Sequence, residues 1–253
     1  MEISEYQNIF NQEESHFFYV GTHDLVLNLL KGYLFKNGKT DLQRMTILDA
    51  GCGTGLLLFK MKKLGLVRGV DISSQAVQLS KKRGLKEIYQ SSIEKMPFKD
   101  QSFGAIVCID VLYHQQVGDD LKALQQFYRL LKPGGILVIK VPAFDWLGGK
   151  HDRLVQTQRR YDRKQLSSKL TATGFQIKKI TYSNMFLLPV VFLKRKLENY
   201  LPSALSEGSD IFYIPRLLNR ILILVLILER MLLNFVNLPF GVSVIAVAEK
   251  PKV

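Results

Sequence analysis

Acidic side chains are scarce in this chain: 22 Asp plus Glu stand against 35 Lys plus Arg, a formal net charge of +13 at neutral pH. Cysteine is scarcer still, with only Cys52 and Cys108 among 253 residues, both inside apolar strand or loop patterns. Such a pair makes no disulfide framework, so reduced, buried thiols are expected. The first residues, MEISEYQNIF, hold acids rather than a basic stretch followed by an apolar run. That argues against a secretory or transit leader and leads us to expect a cytosolic protein. There is no internal repeat and no low-complexity tract. Even the uninterrupted apolar run Ile221–Leu228 is only eight residues, where a bilayer crossing needs about 20. What is present, 47% apolar and 23% charged residues, suffices for a proper core and one domain with a long insertion.

The positive charge is uneven. Residues 140 to 200 hold 13 Lys plus Arg and 4 Asp plus Glu, so 9 of the 13 net charges fall in this segment. A field of that kind attracts the phosphates of nucleic acid or of anionic lipid. A solvated basic face kept for solubility is the plainer reading.

Short β-rich runs alternate with helical patterns, as in βαβ units around a largely parallel sheet. Strands are predicted at 46–50, 67–71, 86–90, 104–109, 135–141, 175–182 and 241–249, and helices near 54–64, 73–83, 119–131 and 163–173. Residues 13–36 read as helical, with an aromatic patch, HFFYV. The helix ending in RLLKPGG carries its stop signals, basic residues followed by Pro133, Gly134 and Gly135.

The stretch TILDAGCGTGLLL, residues 46 to 58, sends a strand into a glycine loop and a helix, an arrangement suited to an anion. Yet Asp49 stands at the mouth of the loop. Against a pyrophosphate, two like unit charges about 4 Å apart cost roughly 4 kcal/mol at an effective dielectric near 20. The dinucleotide spacing G-x-G-x-x-G also fails, because its third glycine falls on Leu56. The ligand is therefore expected to bring a cationic, amino-acid-like end to this loop. Asp71, 22 residues beyond Asp49, ends the next strand, where a ribose diol is gripped in folds of this class. An ammonium at one end and a ribose in the middle describe S-adenosylmethionine.

LDAGCGTG, GVDIS, the loop before EKMPF, FGAIVCIDVLYH and LLKPGGILVIKVP, in that order over residues 44 to 182, resemble a class I S-adenosylmethionine-dependent methyltransferase of the bacterial type 11 group. The resemblance implies a Rossmann-like, seven-stranded, mostly parallel sheet with helices on both faces, strand order 3-2-1-4-5-7-6 and an antiparallel last strand. It divides the chain into an N-terminal helical cap (1–43), a cofactor-binding core (44–184), a hydrophobic helical insertion or lid (185–240) and the last strand (241–250). Asp49, Gly51 and Gly53 would hold the methionine part, with Gly55 letting the helix start close to the ligand. Asp71 would accept both ribose hydroxyls, and Ile72 would press on the adenine. Ser92, beside Ile93, stands where many relatives have an aspartate for the adenine amino group. Asp110, at the end of strand four, would lie on the sulphonium side.

Methyl transfer is an in-line displacement, so alignment can supply most of the acceleration, and a base is needed only if the acceptor must lose a proton. Tyr113 and His114 in VLYH face the site in relatives, which makes His114 the first candidate for base or acceptor positioning. A second cluster, KHDRLVQTQRRYDR, supplies His151, Asp152, Arg159, Arg160 and Tyr161. With Tyr19 from the aromatic patch, Arg160 and Tyr161 are the substrate candidates. No metal site is read.

Residues 185 to 240 are the unusual part. At 100° per residue, Asn219, Arg220, Arg230, Asn234 and Asn237 share a stripe about 100° wide that leaves Glu229 outside, and apolar residues fill the rest. Three readings stay open for this helix: burial in the core, pairing in a homodimer, or seating in an anionic membrane interface. The third suits a small, hydrophobic or lipid-linked acceptor and a peripheral place on the inner face of the membrane. RNA as the acceptor is favoured by charge, but CIDVLYH is not the Asn-Pro-Pro-Tyr type of motif and no RNA-binding module is added. A catalytically idle partner subunit that only binds the cofactor is the third alternative.

Overall fold

The structure, a computed structural model, describes residues 3–36, 45–149, 152, 155–197 and 214–252. Strands β1 (Thr46–Ala50), β2 (Leu66–Asp71), β3 (Ile88–Gln90), β4 (Phe103–Ile109), β5 (Leu131–Pro142), β6 (Gln176–Ser183) and β7 (Ser243–Glu249) form one sheet in the order β3-β2-β1-β4-β5-β7-β6. The first five pair in parallel, and β7 runs antiparallel between β5 and β6. The sheet order and the antiparallel last strand agree with the sequence reading. β4 and β7 are apolar almost throughout and nearly every residue in them is buried, as a central strand covered on both faces requires. β5 begins four residues earlier than its apolar run suggests, at Leu131, and shifts register against β4 between Phe103 and Ala105.

Helices α1 (Ile3–Gln12), α2 (Phe17–Lys36), α3 (Leu56–Met61), α4 (Ser74–Lys82), α5 (Asp120–Leu130), α6 (Arg163–Ala172), α7 (Leu188–Leu197) and α8 (Arg216–Leu233) surround the sheet. Polar starts are set by side chains: Ser73 caps α4, Asp119 caps α5, and Asp162 with Gln165 forms a capping box on α6. α3 is shorter than the predicted 54–64 because Gly55 opens it in a left-handed conformation and residues after Met61 turn in tighter, three-residue steps.

The predicted helix 13–36 is α2, which starts four residues later, at Phe17, and a separate helix, α1, precedes it. Glu13 accepts a hydrogen bond from the Thr54 hydroxyl and pairs with Arg83 at 2.6 Å, which holds the chain in a turn between α1 and α2. α1 lays Tyr6 on Ala76 and Leu79 of α4, while α2 buries Leu25, Val26, Leu29, Leu30 and Leu34 in the main core.

α8 lies along α2, close enough that a side chain on Gly21 would strike Leu226. Part of its polar edge is bonded to α2 and the turn before it, while Arg220 stays exposed. Asn219 donates to the Ser15 carbonyl (2.8 Å) and accepts from the Phe17 amide (2.9 Å), Arg230 pairs with Asp24 (2.7 Å), and Asn28 donates to Asn234 (2.8 Å). Glu229, outside the predicted stripe, is buried and accepts from the amides of Asn184 and Phe186. Burial, one of the three readings of this helix, holds for Leu226 and Leu233 but not for its outer stripe. Leu217, Ile221, Leu224, Leu228, Met231 and Phe235 are all exposed.

Candidate active site

A cavity of about 460 Å³ opens at the carboxyl ends of β1, β2, β4 and β5, where open α/β sheets bind ligands. The turn after β1 shapes its floor. Gly51, Gly53 and Gly55 have φ of +87°, +52° and +84°, which L side chains rarely adopt. A side chain on Gly51 would run into Val111, whereas one on Gly53, which lines the cavity, would meet no protein atom within 4 Å. Gly55 does not line the cavity. A Cβ there would come within 2.6 Å of Leu85 and 2.7 Å of Ser80, so its role is close packing of the start of α3 on α4.

The loop amides are turned to internal use. The N–H groups of Gly51 and Cys52 both donate to the Val70 carbonyl (2.7 and 2.9 Å), that of Gly53 to Asp71 Oδ2 (2.9 Å), and that of Gly55 to the Cys52 carbonyl (2.9 Å). A loop so engaged offers a diphosphate little of the cradle that helix-terminal phosphate sites provide. Its side chains are acidic instead. Asp49 is 3% exposed, and burial, with the charge of Asp71 added, pushes its carboxyl up to about 8. Asp71 is also raised by burial, against the pull of the Ser73 and Gly53 amides that its two oxygens accept. Each oxygen retains a further lone pair for a ligand. Tyr6, reaching in from α1, is pushed up to about 12 by burial and by Asp71.

Asp110 differs from this pair. It sits just past β4 at φ +57° and is matched by Lys140 on β5, 2.7 Å away and 1% exposed. The Lys140 ammonium also lies 5.1 Å from the centroid of the Phe18 ring. Asp49 and Asp71 thus make the loop end of the cavity acidic, suited to positive charge beside a polyol, with Asp49 giving up its proton to a cation that binds there. Ile72, Ser92 and Ile93 line the same end.

Residues 48–139 match the family model described as "Methyltransferase domain". The stretch from β1 to β5, glycine loop included, thus matches a methyltransferase domain. It is 33% identical over 112 residues to the ubiquinone biosynthesis O-methyltransferase of Xanthomonas oryzae, covering 42% of this chain and 46% of that protein. It is 33% identical over 100 residues to a Mus musculus protein named "Probable tRNA methyltransferase 9B", covering 39% and 22%. The chain thus spans less than half the length of either relative. Among solved structures, a Haloferax volcanii methyltransferase in complex with the Trm112 activator superposes with a TM-score of 0.60 at 16% identity, over 98% of this chain and 94% of that one. The cofactor implied by this family is S-adenosylmethionine, and the buried acidic pair, the engaged loop amides and the bare Gly53 all fit it.

Farther from the glycine loop of the methyltransferase domain, the cavity is lined by Tyr19, Tyr113, His114 and Arg160. Tyr19 and Tyr113 are raised by burial, so both phenols keep their protons and donate. His114 is lowered to about 4, chiefly by burial, and its Nδ1 accepts the Gln116 amide at 3.2 Å. The neutral ring therefore carries its proton on Nε2. Arg160 is clamped by Asp152 (2.6 Å) and the Ala143 carbonyl (2.9 Å). Tyr161 is absent from the lining: its hydroxyl donates to Asp120 of α5 at 2.8 Å, inside the core, so it ties α5 to the chain before α6. His151 lies outside the described residues.

Sequence reasoning missed Lys140, Glu13 and His23. Lys140 had a signal, a single cation within ILVIKVP. His23 is 6% exposed and lowered to about 3 by burial and by Lys60, whose Nζ is 3.3 Å from Nδ1. Nothing in HFFYVGTHD separated it from a helix-surface residue.

Proposed function

We propose that this protein is an S-adenosylmethionine-dependent methyltransferase whose acceptor is apolar, lipid-like or lipid-linked and is met at a membrane surface. The observation that carries the reading is the pair Asp49 and Asp71, buried side by side beneath a loop whose amides are already bonded. When bound, the cofactor supplies a methyl group on positively charged sulphur, open to in-line displacement. Asp49 and the backbone at Gly51 and Gly53 would hold its amino-acid end, Asp71 its ribose hydroxyls, and Ile72, Ser92 and Ile93 its base. Tyr6 and Ile9 of α1 cover this end and limit water.

The acceptor side is greasy. Phe17, Phe18, Leu187, Val190 and Val191 face the cavity, with Tyr19, Tyr113 and Arg160 as its polar points. The protonated phenol of Tyr113 and the Nε2 proton of His114 orient an acceptor by donating to it, so the chain's contribution is alignment rather than proton removal. Transfer of labelled methyl groups into lipid and RNA extracts tests the reading, with label expected in the lipid fraction. Label confined to RNA would overturn the acceptor class, and absence of both transfer and cofactor binding would overturn the activity.

A further inference from the structure

We infer that the outward face of α8, together with the exposed apolar residues of α7, is a docking surface for an anionic lipid bilayer. The inference rests on the proposed reading of an acceptor met at a membrane and names the surface that meets it. α8 is turned inside out for a soluble protein. Asn219, Glu229, Arg230 and Asn234 bond to α2, to the turn before it and to the turn at residues 184–186, with Arg220 left at the exposed edge. Leu217, Ile221, Leu224, Leu228, Met231 and Phe235 fall within about 80° of one another at the helical period and point outward, between 48% and 86% exposed. The inward hydrogen bonds fix this orientation, so the apolar stripe faces out because the helix is held that way.

Monomeric soluble proteins rarely leave so continuous an apolar strip open. The strip is about 27 Å long at 1.5 Å per residue, yet no described helix is long and apolar enough to cross a membrane. A helix of this kind lies in the interface plane. α7 adds exposed Val190, Leu193 and Leu197, and the same helix lines the cavity with Val190 and Val191. The apolar wall of the acceptor chamber and exposed apolar surface thus share one helix.

Charge selects the occupant. Among the described residues of 185–240, the exposed charged side chains are Lys194, Lys196, Arg216 and Arg220, all basic, and the one carboxylate, Glu229, is buried. A second copy would bring four cations against four cations, whereas anionic headgroups complement them.

Flotation with vesicles of phosphatidylcholine alone, or mixed with phosphatidylglycerol, tests this on the full chain, with S-adenosylmethionine calorimetry on the same samples. The wild type is expected to float with the mixed vesicles, less so in high salt, and to stay down with phosphatidylcholine alone. The double variant Leu224→Gln/Leu228→Gln is expected to lose vesicle affinity by about tenfold or more, with melting temperature and cofactor affinity kept. The triple variant Lys196→Gln/Arg216→Gln/Arg220→Gln is expected to lose the preference for phosphatidylglycerol. A wild type that does not float, a double variant that floats as well as the wild type, or a wild-type dimer that the double variant splits would each overturn the inference. Cofactor heat without flotation removes the surface and leaves the methyltransferase reading standing. Flotation without cofactor heat does the reverse.

Discussion

Asp49 concentrates the chemistry of the protein in one proton. In the unfolded chain it ionises near its ordinary value of 3.8, and in the folded protein near 8. Between those limits the native state holds a proton that the unfolded state has lost, so Asp49 makes stability fall as pH rises through that window. A cation beside it favours the ionised form, so binding of S-adenosylmethionine is expected to release a proton and to tighten from pH 6 to 8, approaching tenfold per unit. Titrations in two buffers of different ionisation heat check the proton, and a flat pH profile would contradict it. Asp49→Asn is expected to raise the melting temperature at pH 8 while weakening cofactor binding at least tenfold. Gly53→Ala, which meets no protein atom, is expected to fold and to lose most cofactor affinity, as read by calorimetry beside a thermal melt. These residues were legible in the sequence because the loop, the strand end and both acids occupy one short stretch. Lys140 was not, because a charge in a strand says nothing of its partner until the sheet sets β4 beside β5. Tyr161 was misassigned for the same reason: adjacency to Arg160 in the chain did not give it the same direction.

At the scale of elements, the strands other than β5 were readable to within two residues, the central ones because a strand buried on both faces needs an unbroken apolar run. α1 was read only as part of a helical cap over 1–43 and not as a helix of its own, although Tyr6, Ile9 and Phe10 recur at helical spacing, because the helix gains its stability from α4 and from the Arg83 contacts with Glu13 and Glu14. Arg83→Ala is expected to leave the core intact and to speed amide exchange across residues 3–16, with a several-fold loss of cofactor affinity, since Tyr6 and Ile9 line that end of the cavity. Unchanged exchange in this segment would remove Arg83 as its latch. α8 shows what periodicity cannot give. The helical wheel found the polar stripe but not that Asn219, Arg230 and Asn234 in it bond to α2 and its neighbouring turn, because a wheel says which residues share a face, and only the partners decide where that face points. Glu229 is the inner anchor. Its replacement by Ala leaves the buried amide of Asn184 and the half-buried amide of Phe186 without an acceptor, which is expected to cost about 2 kcal/mol in urea unfolding. An unchanged midpoint would show that the turn at residues 184–186 stands without it.

For the whole molecule, the sheet order and the acidic pocket bear on the cofactor, while the basic, apolar exterior of the insertion bears on the acceptor. The two could be inferred separately from the sequence. Their geometry could not, because the insertion is joined to the core through long-range contacts from α8 to α2 and to the end of β6. The central claim is that the pocket beneath β1 and β2 is acidic to receive a cationic nucleoside and refuses a dinucleotide phosphate. Paired calorimetric titrations with S-adenosylmethionine and with NAD at pH 8 test it most directly. The account expects saturable one-site heat with the first, lost in Asp49→Asn, and none with the second. Heat from NAD together with silence from S-adenosylmethionine would contradict it.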